Sequence, residues 1–281
     1  MSYYINLVKR AVPVIHQEYP EAKIQVGGTT YLREPESRDY LFSILRSDIM
    51  PLVDVVSWHP MYGTSPEFDS EYYYEYPAIV QEIKDVASAH GFEGEYEADE
   101  LTWYTIIEGT PWDGWSQRYS DTIAAKYYAR GIVMHLGMDV TAGGGVSSWR
   151  PVSFPMVRNL CTIMAGAKPI SLSVHIQSAA TDIRSHGFSL PNGDKLIALW
   201  TDGVAVEDDP GITTTLILPG FSDHRVMGTD VLNGFEQQMI TSSEGDNLVI
   251  RNLMVKDYPI ILRLAPTRYV FLPVILKGYA R

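Results

Sequence analysis

Apolar positions recur at two different periods along this chain, and the change of period divides it. Tyr4, Leu7, Val8, Ala11, Val12 and Ile15 fall at helical spacing, predicting an amphipathic helix over residues 3–18 with a kink or early end at Pro13. Lys23–Gly28 reads as a short strand, 38–50 as a second helix, and Val53–His59 as a second strand. A helix over Pro77–His90, closed by Gly91, leads into the acidic stretch Phe92–Trp103. A further helix spans Asp121–Leu136, a short strand Asp139–Gly145, and a last helix Pro155–Ala165. Helices alternating with strands at this length predict βα units and a parallel sheet.

After Pro169 the period becomes 2. Runs at Ile170–Ile176, Asp182–Leu190, Lys195–Trp200, Thr213–Leu218, Arg225–Gly228, Asn247–Ile250 and Tyr258–Leu264 are separated by turn sequences such as Pro191-Asn192-Gly193-Asp194 and Asn233-Gly234. This pattern predicts an antiparallel β-sandwich. The division expected is 1–168, 169–266 and a C-terminal tail 267–281, the last too short to cross a bilayer.

Composition narrows the chemistry. With 281 residues, 46% hydrophobic and 20% charged, the chain has the make-up of a globular protein with a sizeable core. Its net charge of −12 argues against nucleic acid as a partner, because phosphate binding requires a basic surface. Residues 1–150 hold 22 acidic side chains against 11 basic ones, whereas 151–281 are nearly balanced at 12 and 11. No apolar run has membrane-spanning length, and the N-terminus has no signal-peptide pattern. The single Cys161, in an apolar run, is expected to be a small buried hydrophobe. His135, His175 and His186 lack ligand spacing, Gly143-Gly144-Gly145 lacks a phosphate-loop context, and neither metal nor cofactor is expected.

The acidic stretch carries the strongest chemical signal. Glu93, Glu95, Glu97, Asp99 and Glu100 precede Trp103. Strict alternation sets Glu93, Glu95, Glu97 and Asp99 on one face and Gly94, Tyr96, Ala98 and Glu100 on the other. Glu100, at the C-terminal end of its strand, is the leading candidate for a reactive carboxylate, and Glu97 the second.

The order of these segments resembles the C-terminal half of clan-A glycoside hydrolases, retaining enzymes with a (β/α)8 barrel and often an appended sandwich. Tyr19–Gly28 looks like helix 4 into strand 5, and Ser57-Trp58-His59-Pro60-Met61-Tyr62 like the end of strand 6. Ala98-Asp99-Glu100-Leu101-Thr102-Trp103 looks like the end of strand 7, and Ala124–Gly131 like the helix before strand 8. Val226–Gly234 and Asp257–Leu262 look like parts of the sandwich. The resemblance covers most of residues 4–264 and rests on order and spacing rather than on one motif.

It implies the α/β fold class as strands 5–8 of a TIM barrel, with Glu100 as nucleophile and His59 and Tyr62 beside it. Trp58, Trp103, Trp112, Trp115 and Trp149, near strand ends, are candidates to stack on sugar rings, while Trp200 is expected in the core. The implied partner is a β-linked glycan, and the family is commonly secreted. The family's acid/base Glu sits at the end of strand 4, usually in an Asn-Glu-Pro-like segment that this sequence does not contain. Retaining hydrolysis needs two carboxyl groups about 5–5.5 Å apart. The second is therefore expected from a missing N-terminal half-barrel, or from a second copy closing the barrel as a homodimer. A non-catalytic carbohydrate-binding protein and an inert half-barrel are the alternatives.

Overall fold

The computed structural model describes residues 1–106, 117–144 and 152–267. The chain begins with α1 (Ser2–Glu18), which continues through Pro13 rather than breaking there. Val8 and Val12 anchor its inner face, while Lys9 and Pro13 are exposed, so the carbonyl that Pro13 leaves without a helical partner faces water. Next come β1 (Gln25–Val26) and α2 (Pro35–Leu45). The second helix starts and ends earlier than residues 38–50, because Pro35 occupies its first turn and a separate 3-10 turn forms at Met50–Leu52.

The fully buried β2 (Val55–Trp58) precedes α3 (Ser70–Ala89). That helix begins seven residues before Pro77, where the Asp69 carboxylate accepts the Tyr72 N–H. Then follow β3 (Glu95–Leu101), the short parallel pair β4 (Tyr104–Thr105) and β5 (Arg118–Tyr119), α4 (Asp121–Gly137), β6 (Thr141–Gly144) and α5 (Ser153–Ile163). The Ser120 hydroxyl caps α4 by accepting the Ile123 N–H at 3.1 Å. Along α5, Met156 and Leu160 point inward, so Cys161, one residue further round, is exposed instead of buried.

Strands β1, β2, β3 and β6 form one parallel sheet in that order, with Val26 opposite Val56, Val56 opposite Tyr96 and Ala98 opposite Ala142. Helices connect successive strands, so all four C-terminal ends lie along one rim. Gly27 is required at that rim: its φ is +109°, and a Cβ there would stand 2.0 Å from the Ser57 carbonyl oxygen.

The remaining strands are β7 (Lys168–Ile170), β8 (His175–Gln177), β9 (Ile183–Ser189), β10 (Lys195–Thr201), β11 (Ile212–Pro219), β12 (His224–Asp230), β13 (Phe235–Gln238), β14 (Thr241–Glu244), β15 (Asn247–Val255) and β16 (Ile260–Pro266). They make two antiparallel sheets, ordered β13-β12-β16-β10-β9-β7 and β14-β15-β11-β8. Buried side chains from both sheets, such as Ile197, Leu199, Leu248 and Ile250, belong to the same apolar core as Val56 and Ala98.

Helix α4 locks the parallel and antiparallel parts together. Besides apolar residues it buries two charges, Lys126 and Arg130, each 2% exposed. Lys126 Nζ donates to the Val206 carbonyl at 2.5 Å and pairs with Asp257 at 2.8 Å. Arg130 donates to the carbonyls of Asp257 and Gly203. From α3, Tyr73 donates to the Asp202 carboxylate and Tyr74 to the Asp202 carbonyl. Charges buried at this depth require such partners. None of the described helices is long and apolar enough to cross a membrane.

Candidate active site

The rim where β2 and β3 end gathers the residues to which the sequence pointed. Alternation along β2 turns Trp58 toward α3, where its indole N–H donates to Tyr76 Oη at 2.9 Å. His59, the next residue, projects to the opposite side. Pro60 interrupts the parallel ladder, which resumes where Tyr62 bridges Thr102, with Thr102 N–H donating to Met61 O and Gly63 N–H to Thr102 O. The loop between is fixed from beneath: Tyr72 donates to Pro60 O, Tyr119 to Gly63 O and Trp103 to Thr64 O.

Strand β3 departs from strict alternation. Ala98 pairs with Ala142 but Leu101 pairs with Gly144, so three steps on β3 match two on β6. One extra residue is accommodated, a bulge of the kind that re-aims side chains at strand ends. Ala98 and Leu101 are both sealed in the core, and the two residues between them, Asp99 and Glu100, are partly exposed. Both carboxylates approach the same imidazole: His59 Nε2 lies 3.4 Å from Glu100 Oε2 and 3.6 Å from Asp99 Oδ1. The expected partition of Asp99 and Glu100 to opposite faces is therefore corrected by the bulge. Glu97, the second candidate, sits lower in the sheet opposite Ser57 and Thr141.

On its other nitrogen, His59 Nδ1 is 2.5 Å from Tyr62 Oη. The Tyr62 phenol is pushed well above its ordinary pKa, first by burial and then by its hydrogen bond to Glu100 and that carboxylate's charge. It stays a proton donor at any physiological pH. Tyr31 packs its ring 5.4 Å from that of Tyr62 and shares a short hydrogen bond with Thr64. The resulting cluster is Glu100, Tyr62, His59 and Asp99, backed by Tyr31. Sequence reasoning did not single out Asp99 or Tyr31; the only signal for Asp99 was its place next to Glu100.

Two tryptophan expectations are corrected. Trp58 is fully buried, and Trp103, 2% exposed, stacks on Tyr127 and meets Tyr128 edge-on. Neither presents an open face to a sugar. Trp112, Trp115 and Trp149 lie outside the described residues. Trp200, 2% exposed, is in the core, with His186 stacked on it. Among the described residues no group of three His, Cys, Asp or Glu side chains has metal-binding geometry.

Chemically, the cluster holds a carboxylate at a rim, 46% exposed at its side chain, with a phenol donor to orient it. Such an arrangement suits a nucleophile or a charge stabiliser. His59 touches that same carboxylate, so it is not separated from Glu100 as the second group of a retaining pair must be.

No family model and no curated protein sequence matches the chain. Solved structures do. An arabinofuranosidase of glycoside hydrolase family 51 from Xanthomonas axonopodis pv. citri superposes with a TM-score of 0.55 at 12% identity, covering 92% of this chain and 63% of the other. A glucosidase from Croceicoccus marinus gives 0.52 at 13% identity, with coverages of 93% and 64%. A family 44 xyloglucanase from Paenibacillus polymyxa, in complex with xyloglucan, gives 0.54 at 11% identity, with coverages of 93% and 61%. The chain has a glycoside hydrolase-like fold and spans about three-fifths of the length of these structures.

Proposed function

We propose that this chain carries the nucleophile half of a retaining O-glycosidase acting on a β-linked glycan. Its parallel sheet corresponds to strands 5–8 of a (β/α)8 barrel, and its two antiparallel sheets to the appended sandwich. The observation that carries this reading is Glu100: it stands at the C-terminal end of a parallel strand, beside Tyr62 and His59, in a fold shared with glycosidases.

In the reaction, the Glu100 carboxylate attacks the anomeric carbon and displaces the leaving sugar oxygen, which takes a proton from an acid on the other side of the bond. Water, deprotonated by that same group, then hydrolyses the glycosyl ester and returns Glu100 to its starting state. The acid/base carboxyl comes from outside these 281 residues, from the other half of a barrel on the same or another chain. Tyr62 stands beside Glu100 as the phenol donor that orients the carboxylate for attack.

The test is covalent trapping with a 2-deoxy-2-fluoroglycoside, read by peptide mass spectrometry, on the chain alone and on a longer chain that includes the coding region immediately upstream. An adduct on Glu100 in the longer chain supports the reading. An adduct on another carboxylate overturns the assignment. Glycan binding without an adduct in either protein points to a carbohydrate-binding role instead.

A further inference from the structure

We infer that Asp99 is a positioning residue: it, rather than Glu100, takes the Nε2 proton of His59, leaving Glu100 free to meet a ligand. The role of Glu100 here is the one proposed above; the pairing of Asp99 with His59 is independent of it.

Distance alone does not decide between the two carboxylates, since Nε2 is 3.4 Å from one and 3.6 Å from the other, and neither contact is a full hydrogen bond. Solvent does. The Asp99 Oδ1 atom is sealed from water and has no hydrogen-bond partner among the described residues. The Glu100 side chain is 46% exposed against 21% for Asp99, so water satisfies Glu100 at little cost. A buried acceptor left orphaned pays its whole desolvation cost, whereas an exposed one pays almost none. The one proton within reach of both therefore gains more on Asp99, and a small movement of the imidazole completes the bond.

The choice fixes the rest of the cluster. With Nε2–H committed to Asp99, neutral His59 offers Nδ1 as an acceptor to the Tyr62 phenol 2.5 Å away. When His59 is protonated, Nδ1–H donates to Tyr62 Oη instead, and the phenol O–H donates its hydrogen bond to Glu100. In both states Asp99 keeps Nε2; the phenol's single proton lies on Nδ1 in the first state and turns to Glu100 in the second. The bulge in β3 makes this possible, because without its extra residue Asp99 and Glu100 would point to opposite faces.

The experiment is an imidazole 1H–15N correlation spectrum of the full 15N-labelled chain at about pH 8, where an ordinary imidazole is neutral, with the His59 signals assigned from a His59→Gln variant. The expected native result is the Nε2–H tautomer, and Glu100→Gln retains it. In Asp99→Ala the two nitrogen shifts converge toward a tautomer mixture, and Nε2–H exchange with water quickens on the order of tenfold. Asp99→Asn, which keeps the side-chain volume, gives a smaller change in the same direction and decides the matter if the alanine variant does not fold. A loss of the tautomer in Glu100→Gln but not in the Asp99 variants overturns the inference, as does an unchanged spectrum in all of them. A chain that takes no fluoroglycoside on Glu100 yet shows the Asp99 effect loses the glycosidase reading and keeps the pairing.

Discussion

Lys126 and Asp257 form an ion pair of 2.8 Å with side chains only 2% and 6% exposed, buried between α4 and the antiparallel sheets. The second carboxylate oxygen accepts the Val206 N–H at 2.8 Å, so Asp257 serves a charge and a backbone donor together. Asp257→Asn removes the countercharge and strands a buried ammonium. The expected loss is roughly 3–5 kcal/mol, read as a lower urea midpoint with an unchanged slope. Adding Lys126→Met to that variant recovers part of the loss, because no unpaired charge is then left inside. A double variant no more stable than Asp257→Asn contradicts this account.

His135 lies fully buried with its Nδ1–H on the Gly131 carbonyl at 2.6 Å and its Nε2 accepting from Tyr76 at 2.7 Å. Burial lowers its pKa from 6.5 to about 4. The unfolded chain therefore binds a proton that the folded chain refuses. Stability is fully present above about pH 6.5 and is lost as pH falls toward about 4, by roughly 3 kcal/mol for this group. His186, also lowered by burial, adds to the loss in the same direction. Urea titrations across this window are expected to show a shallower pH dependence in His135→Gln than in the native chain, with no difference in slope above about pH 7.

Two adjacent glycines give opposite expectations. At Gly27 an alanine meets both a φ of +109° and the Ser57 carbonyl at 2.0 Å, and the obstacle is backbone that cannot step aside. At Gly28, φ is +56° with nothing within 4 Å of the added carbon. Gly28→Ala is expected to cost about 1–2 kcal/mol, the price of a left-handed backbone for an alanine. Gly27→Ala is expected to cost more than about 4 kcal/mol or to prevent folding. Thermal melts of the two variants separate these cases, and equal effects would refute the close approach of β1 and β2 at this rim.

What the sequence discloses is what one period can express. Val8 and Val12 mark α1, and the alternating runs mark β9, β10, β11 and β16 to within two residues at either end. The first two turns of α3 are hidden because Tyr72, Tyr73 and Tyr74 run together and Pro77 imitates a helix start. Strands β13 and β14 are invisible to apolar patterning: they lie at sheet edges, and Phe235–Gln238 is exposed throughout. Lys126 and Arg130 read as solvated charges, since only the folded chain brings Asp257 and the Gly203 and Val206 carbonyls to them. At the site, Glu100, His59 and Tyr62 are brought together, but alternation misassigns Asp99 because one inserted residue reverses the faces. Trp58 and Trp103 are near strand ends, as expected, yet position along a strand does not say which side an indole takes.

The bulge itself can be tested from the neighbouring strand. Gly143 of β6 faces it, and a Cβ there would stand 2.9 Å from the Asp99 carbonyl oxygen and 3.2 Å from its Cα. The contact is with backbone, so Gly143→Ala must push β6 away or flatten the extra residue of β3. Overpacking of this kind costs about 1–3 kcal/mol. A flattened bulge would also rotate Asp99 or Glu100 away from His59, so the imidazole signals of His59 are expected to move together with the fall in melting temperature. Thr141→Val, at an exposed position of the same strand, serves as the comparison and leaves both nearly unchanged. If Gly143→Ala lowers stability while the His59 signals stay in place, the two carboxylates do not owe their common side to the bulge.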